Sequence, residues 1–306
     1  MALHELTRKE LVRPARTSSL HAEQEYAFLH LLVRDVCYAQ IPRAARAARH
    51  RAAAAWLERG AGERAEDLVD VLAHHYLQAL ELARAAGQSA EEELRTSAIR
   101  YLALSGERAL ALDVQRAEAN YAKALALAAA GHPERAWLLE RWAQAAREQG
   151  RPQEARAALD EALALYRTSD PLAAGRTLTA LSNVRRLLGD PRHAEVIAEA
   201  LALLEAQPPG PELAAAHAQL AGTRFVMSAY PEATVAAERA LALAVELGLP
   251  EPASALGFRG GARAALGERQ GLEDMRRALQ VGLEQGLGRE TAVIYGNLGW
   301  VVWCYQ

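Results

Sequence analysis

The chain has 306 residues and a formal charge of −3, with 51% hydrophobic but only 6% aromatic residues. So balanced a charge, with no long basic stripe, speaks against nucleic-acid contact by this segment, and no apolar run approaches the roughly 20 residues that span a bilayer. Cys37 and Cys304 are the only cysteines and stand at opposite ends, which excludes a disulfide framework and fits a reducing, cytoplasmic setting.

The N-terminus has His4, Glu5 and Glu10 where a signal peptide would need an apolar stretch. Residues 1–10 read as the tail of a helix. Leu11-Val12-Arg13 and Tyr26-Ala27-Phe28-Leu29 are short β-like runs joined by a polar turn at Thr17-Ser18-Ser19. A helix followed by a small hairpin is the closing part of a winged-helix module; the other reading is an N-terminal arm. Pro42 opens a helix to about Arg59, and Glu66 to Ala86 forms its partner, closed by Gly87. Ser89 and Glu92 have capping-box spacing for a helix to about Leu112. Residues 115–130 follow as the next helix.

From here the sequence repeats. Ala-Leu-Ala-Leu stands at 124–127, 162–165, 200–203 and 240–243, with a worn copy at Ala278-Leu279-Gln280-Val281, in steps of 38, 38, 40 and 38 residues. A fixed period in this range marks a solenoid. Pro133, Pro171, Pro209 and Pro250 keep the same beat between repeats; Gly150, Gly189 and Gly267 mark the middle, where one copy has Ser228-Ala229. The predicted pairs are 134–149 with 153–167, 172–188 with 191–206, 212–228 with 231–247, and 253–267 with 270–285, followed by a last helix over 290–306.

Ala117–Tyr121–Ala124 and Ala155–Leu159–Ala162 have the small–large–small spacing of the second tetratricopeptide helix, Ala233–Ala237–Ala240 has it without the large residue, and Tyr295–Leu298–Gly299–Val302 has the spacing of the first. The predicted fold is therefore all-α, a right-handed solenoid of tetratricopeptide-like helical pairs with a small winged-helix-like remnant at the N-terminus. Its expected parts are the remnant and connecting helix at 1–41, a linking helical pair at 42–88, and the repeats at 89–306, the last incomplete.

A more specific resemblance runs through Phe28-Leu29-His30-Leu31-Leu32-Val33-Arg34-Asp35-Val36-Cys37-Tyr38, Ile41-Pro42-Arg43-Ala44-Ala45-Arg46, Arg49-His50-Arg51 and Leu72-Ala73-His74-His75-Tyr76-Leu77-Gln78-Ala79-Leu80. This segment resembles the region behind the ATPase module of bacterial STAND/AAA-type signalling proteins, which carry tetratricopeptide repeats after it. Many have a class III adenylate/guanylate cyclase domain in front, others a DNA-binding domain. The resemblance implies a segment that transmits state between an ATPase and a repeat array. The chain departs from that design in lacking a phosphate loop: its two lysines, Lys9 and Lys123, do not follow glycine in the required motif. It thus reads as the back half of a larger design.

Catalytic chemistry finds no support in the residues. His74 and His75 are adjacent and point about 100° apart on a helix, whereas a helical zinc pair is spaced i, i+4. No nucleophile motif surrounds Cys37. No metal, cofactor or catalytic residue is assigned, and the chain is expected not to be an enzyme. The candidate site is the concave groove lined by the first helices of successive pairs. Arg147, Asn183, Arg186, Arg224, Arg259, Arg263 and Asn297 lie on those helices, and converging arginines grip carboxylates bidentately. The expected ligand is a protein or peptide, or a small acidic effector. Trp137, Trp142, Phe225 and Phe258 are groove anchors or core. The 290–306 helix, apolar on more sides than one neighbour covers, is an expected surface for self-association or for docking onto a continuation. The predicted function is a non-catalytic protein-interaction or effector-sensing scaffold of a bacterial signalling protein. The alternatives are the regulatory half of a nucleotide cyclase and the ligand-sensor half of a transcription regulator.

Overall fold

Alanine loses no side-chain entropy in a helix and lets neighbouring backbones approach closely, and helix dominates this chain. The computed structural model describes residues 3–16, 24–61, 67–88 and 91–305, which hold fifteen helices and one two-stranded ladder. They form two compact units, Met1–Leu110 with Ala119–Ala129, and Ala111–Glu118 with Ala130–Gln306.

The first unit begins with α1 (Leu3–Arg8), β1 (Val12–Pro14), β2 (Tyr26–Phe28) and α2 (Leu31–Ala39). The strands pair antiparallel, Val12 opposite Phe28, as the predicted hairpin requires. The predicted turn at Thr17-Ser18-Ser19 and the Ser89 cap lie outside the described residues. Next come α3 (Arg43–Ala61), α4 (Val69–Ala85), α5 (Glu91–Leu110) and α6 (Val114–Leu127), whose later residues belong to this unit. Ala54, Leu72, Ala79, Leu80 and Ala98 are completely buried between α3, α4 and α5. A polar network fixes their rotation: Glu58 on α3 accepts from the hydroxyls of Tyr76 on α4, at 2.6 Å, and Tyr101 on α5. The two tyrosine rings stack, centroids 5.4 Å apart. Burial, reinforced by Glu58, raises both phenols, Tyr101 to about 12.

Adjacent histidines do not share a face, but α3 supplies the partner that α4 lacks. His50 Nδ1 lies 2.8 Å from His75 Nδ1, and Tyr38 on α2 places its hydroxyl 2.8 Å from His50 Nε2. With both rings neutral the protons run in one sense along the chain: either Tyr38 donates to His50 Nε2 and His50 Nδ1–H to His75 Nδ1, or His75 Nδ1–H donates to His50 Nδ1 and His50 Nε2–H to the Tyr38 oxygen. Arg46 stacks over the Tyr38 ring at 4.9 Å, and His74 meets the edge of His50. Burial, then His74 and Arg46, lowers the pKa of His50; burial, then His50 and His74, lowers that of His75 to about 4.

The second unit is a stack of helical pairs: α7 (Arg135–Glu148) with α8 (Pro152–Tyr166), α9 (Pro171–Leu187) with α10 (His193–Glu205), α11 (Pro211–Val226) with α12 (Tyr230–Glu246), and α13 (Ala253–Ala265) with α14 (Gln270–Glu284). The last helix, α15 (Gly288–Tyr305), packs on both α13 and α14. The repeated phrase has a physical reason in this stack. Its first alanine, at Ala162, Ala200, Ala240 and Ala278, is completely buried on the second helix of each pair. The same is true of Ala124 in the first unit.

The turn markers have equally local causes. Gly150, Gly189 and Gly267 close the first helices with φ of 75°, 68° and 86°, the left-handed conformation that spares glycine a Cβ clash. Ser228 takes the same position at φ 59° and keeps the same paired closing bonds, Ser228 N–H to Phe225 O and Ala229 N–H to Arg224 O, both at 2.9 Å. Pro171 begins α9. A first helical residue needs no amide donor, and the Asp170 carboxylate caps the turn by accepting from Ala173 N–H at 2.9 Å.

Gly260 and Gly271 bring the backbones of α13 and α14 close together. A Cβ on Gly271 would stand 2.4 Å from Gly260 O and from Ala264 N, both backbone atoms. Gly271→Ala should therefore push the two helices apart and cost about 1–3 kcal/mol. Gly299→Ala, whose Cβ meets open space, should gain up to about 1 kcal/mol in helix propensity. Thermal melts followed by circular dichroism test the contrast, and equal effects would refute this packing.

For the histidine relay the sign follows from ionisation. Both rings protonate more readily in the unfolded chain, near 6.5, so the neutral pair stabilises the fold above that pH. The contribution is lost as pH falls from 6.5 towards 4. The urea midpoint of the native chain should drop more steeply over that window than that of His75→Gln; parallel curves would refute the relay.

Candidate functional site

The first helices of the pairs in the second unit, α7, α9, α11, α13 and α15, contribute side chains to one half-enclosed cavity of about 500 Å3. A second hollow of about 480 Å3 adjoins it, sharing Arg147, Arg176 and Ala180, and is lined by Trp137 and Leu159. Four of the seven residues expected in the groove meet in the larger cavity: Arg147 from α7, Asn183 and Arg186 from α9, and Asn297 from α15. The other three do not line it. Arg259 holds Asp274 through a bidentate pair at 2.7 and 2.9 Å, and Arg263 reaches Asp274 at 3.0 Å and Glu238 at 2.9 Å. Those guanidiniums knit α13 to α14 and α12. Arg224 lies in the last turn of α11, away from the lining.

The cavity also gathers residues that spacing along the first helices does not single out: Arg289 and Glu290 from the first turn of α15, Gln219 from α11, and the approach to α13 at Pro250–Ser254. Arg289 precedes the helix predicted from 290 onward, so it had no place in a groove register. The short connection between α14 and α15 was the available signal. Phe258 lines the cavity too, its ring filling the space left by Gly222. Phe225 packs against Gly261, Phe258 and Trp300. Trp142 lies under the Arg151 guanidinium.

The polar groups fall into two kinds. Some are satisfied within the protein. Glu140 takes Arg176 at 2.7 and 3.3 Å and the Thr177 hydroxyl at 2.6 Å, and Asn183 donates to Gln219 Oε1 at 2.9 Å. Others are left open. Arg147 Nε, Arg186 Nε and Gln219 Nε2 are buried donors without an acceptor. Arg147 touches Glu148 only at 3.4 Å, and Arg186 and Arg289 make no ion pair among the described residues. Burial, then the Arg289 charge, lowers the pKa of both Arg147 and Arg186. Glu290 is exposed; the protein packed near it raises its carboxyl, against the pull of Arg147. Unpaired guanidinium donors at a concave surface bind anions and planar carboxylates. Among the described residues no group of three or more histidines, cysteines and carboxylates is arranged to hold a metal, and none of their helices is long and apolar enough to cross a membrane.

No family model matches the chain, and no curated protein matches it in sequence. Solved structures do. The chain is similar to a Rap protein complexed with competence and sporulation factor, at TM-score 0.55 and 13% identity, over 81% of this chain and 80% of that one. It is similar to BtubC from P. vanneervenii, at TM-score 0.53 and 18% identity, over 71% and 92%. It is also similar to a signal transduction ATPase with numerous domains carrying a tetratricopeptide-repeat sensor, from Pyrococcus horikoshii. There the TM-score is 0.51 and the identity 16%, with 99% of this chain covering 43% of that one. At these identities the likeness is one of architecture: the chain has the fold of a tetratricopeptide-like helical-repeat solenoid.

Proposed function

We propose that this chain is a ligand- and partner-binding helical array of a signalling protein, performing no chemistry of its own. The observation that carries the reading is the half-enclosed cavity on which the guanidiniums of Arg147, Arg186 and Arg289 converge, with no ion pair among the described residues beyond the 3.4 Å contact of Arg147 with Glu148. Guanidiniums without close carboxylate partners favour an anionic ligand. The solved relatives support this reading. One was crystallised with a bound factor, and another joins its repeat sensor to a signal-transduction ATPase of which this chain spans 43%. The resemblance of residues 1–87 to the segment behind such ATPases supports the same arrangement, with the array sensing and a separate module responding.

Selection of random displayed peptides on the immobilised full chain tests the reading without presuming a sequence. Binders should be enriched in acidic residues, compete with one another and weaken with salt. Charge-assisted bonds are worth about 1.5–3 kcal/mol each, so Arg147→Ala combined with Arg186→Ala should weaken binding by about two orders of magnitude or more. Enrichment of peptides indifferent to both substitutions would refute this face as the binding surface.

A further inference from the structure

The charges lining the larger cavity do not cancel. Arg176 is committed to Glu140, and Glu251, on the rim, to Arg277. Setting aside those pairs and the 3.4 Å contact of Arg147 with Glu148 leaves Arg186 and Arg289 facing the single carboxylate of Glu290, an excess of one positive charge, with Arg147 beside them. These three guanidiniums come from three helices, α7, α9 and α15. Beside them the lining is apolar, with Phe258 from α13, Val293 from α15 and Leu187 from α9. The volume of about 500 Å3 falls within the range of small-molecule sites, which pair apolar walls with a few placed polar groups. The rim includes residues 250–254 and Gln285, Leu287, Arg289 and Glu290 as well as the first helices, which half-enclose the space.

We propose that this cavity takes a small organic dianion, a phosphate monoester or a dicarboxylate, with its head between Arg147, Arg186 and Arg289 and its apolar body against Phe258, Val293 and Leu187. The proposal rests on the reading of this face as the ligand surface and goes further, assigning the head group, the seat for the body and a role for Arg289. The head supplies acceptors for the terminal guanidinium N–H groups of Arg147, Arg186 and Arg289, whose forks match planar or tetrahedral oxyanions. It also reverses the electrostatics of the site. Empty, three like charges repel across the gap between α15 and α7 and α9; filled, the anion draws them together. Occupancy therefore tightens the first turn of α15 against the earlier repeats, and the signal appears at the last helix of the array.

Titration calorimetry of the full chain with phenyl phosphate, benzylsuccinate and inorganic phosphate tests the proposal. At least one aromatic dianion should bind saturably, about tenfold or more tighter than inorganic phosphate, and the better one identifies the head. Arg289→Ala should weaken it about tenfold or more, Arg289→Lys less, and Arg239→Ala, in an exposed ion pair with Glu246, not at all. Val293→Asn should weaken the aromatic ligands while leaving inorganic phosphate unchanged. Hydrogen exchange of the α15 amides should slow with ligand. Failure of both aromatic dianions to bind, or binding indifferent to Arg289→Ala, would overturn the proposal. Selected peptides that still depend on Arg147 and Arg186 would then leave the broader reading standing, so the two failures are distinguishable.

Discussion

Everything in the repeat array depends on how close two helices of a pair can lie. Close approach requires small side chains at the crossing, and the second helices supply alanines with no exposed surface at Ala162, Ala200, Ala240 and Ala278. At α13 and α14 the requirement is stricter, because Gly260 and Gly271 bring backbone against backbone. Each such residue buries little area, so no single contact stabilises much. The array instead adds many similar increments, each repeat leaning on its neighbours. The bulky residues then fill gaps that glycine leaves, as Phe258 does at Gly222 and Tyr121 at Gly106.

Small residues define distance but not rotation, and polar pairs between helices supply the rest. Glu140 gathers Arg176 and Thr177 from the next first helix. Asp274 takes both Arg259 and Arg263. In the first unit Glu58 does the same for Tyr76 and Tyr101. Such half-buried, hydrogen-bonded pairs are weak as net stabilisers and costly when one partner is removed. Their effect here is to allow one rotation of each helix about its axis, and thereby to set which side chains reach the cavity.

This division explains what could be read from the residues. The helical pairs, their period and the left-handed turn at Gly150, Gly189 and Gly267 follow from local chemistry, and even Ser228 shows by position that it stands where glycine does elsewhere. The rotation pairs are not local. Arg259 and Arg263 have the same helical spacing as the residues that line the cavity, and their partners on other helices, Asp274 and Glu238, distinguish them. Likewise His50 meets His75 across 25 residues, a pairing invisible to a rule about positions on one helix. Arg289 escaped because a residue at the first turn of a helix reads as loop when the boundary is placed a few residues late.

The contrast between the two sets of arginines is the strongest argument that the cavity is a site. Guanidinium groups that serve only the fold are expected to be paired, since an unsatisfied buried donor costs about 1–3 kcal/mol. This chain satisfies that expectation at α13, where Arg259 is bidentate on Asp274. It departs from it at α9 and α15, where Arg186 and Arg289 make no ion pair among the described residues, and Arg147 on α7 meets Glu148 only at 3.4 Å. Both environments occur within one array and one composition. Stability alone would favour a carboxylate beside Arg186. Its guanidinium lines the cavity, where the proposed anion would supply that negative charge.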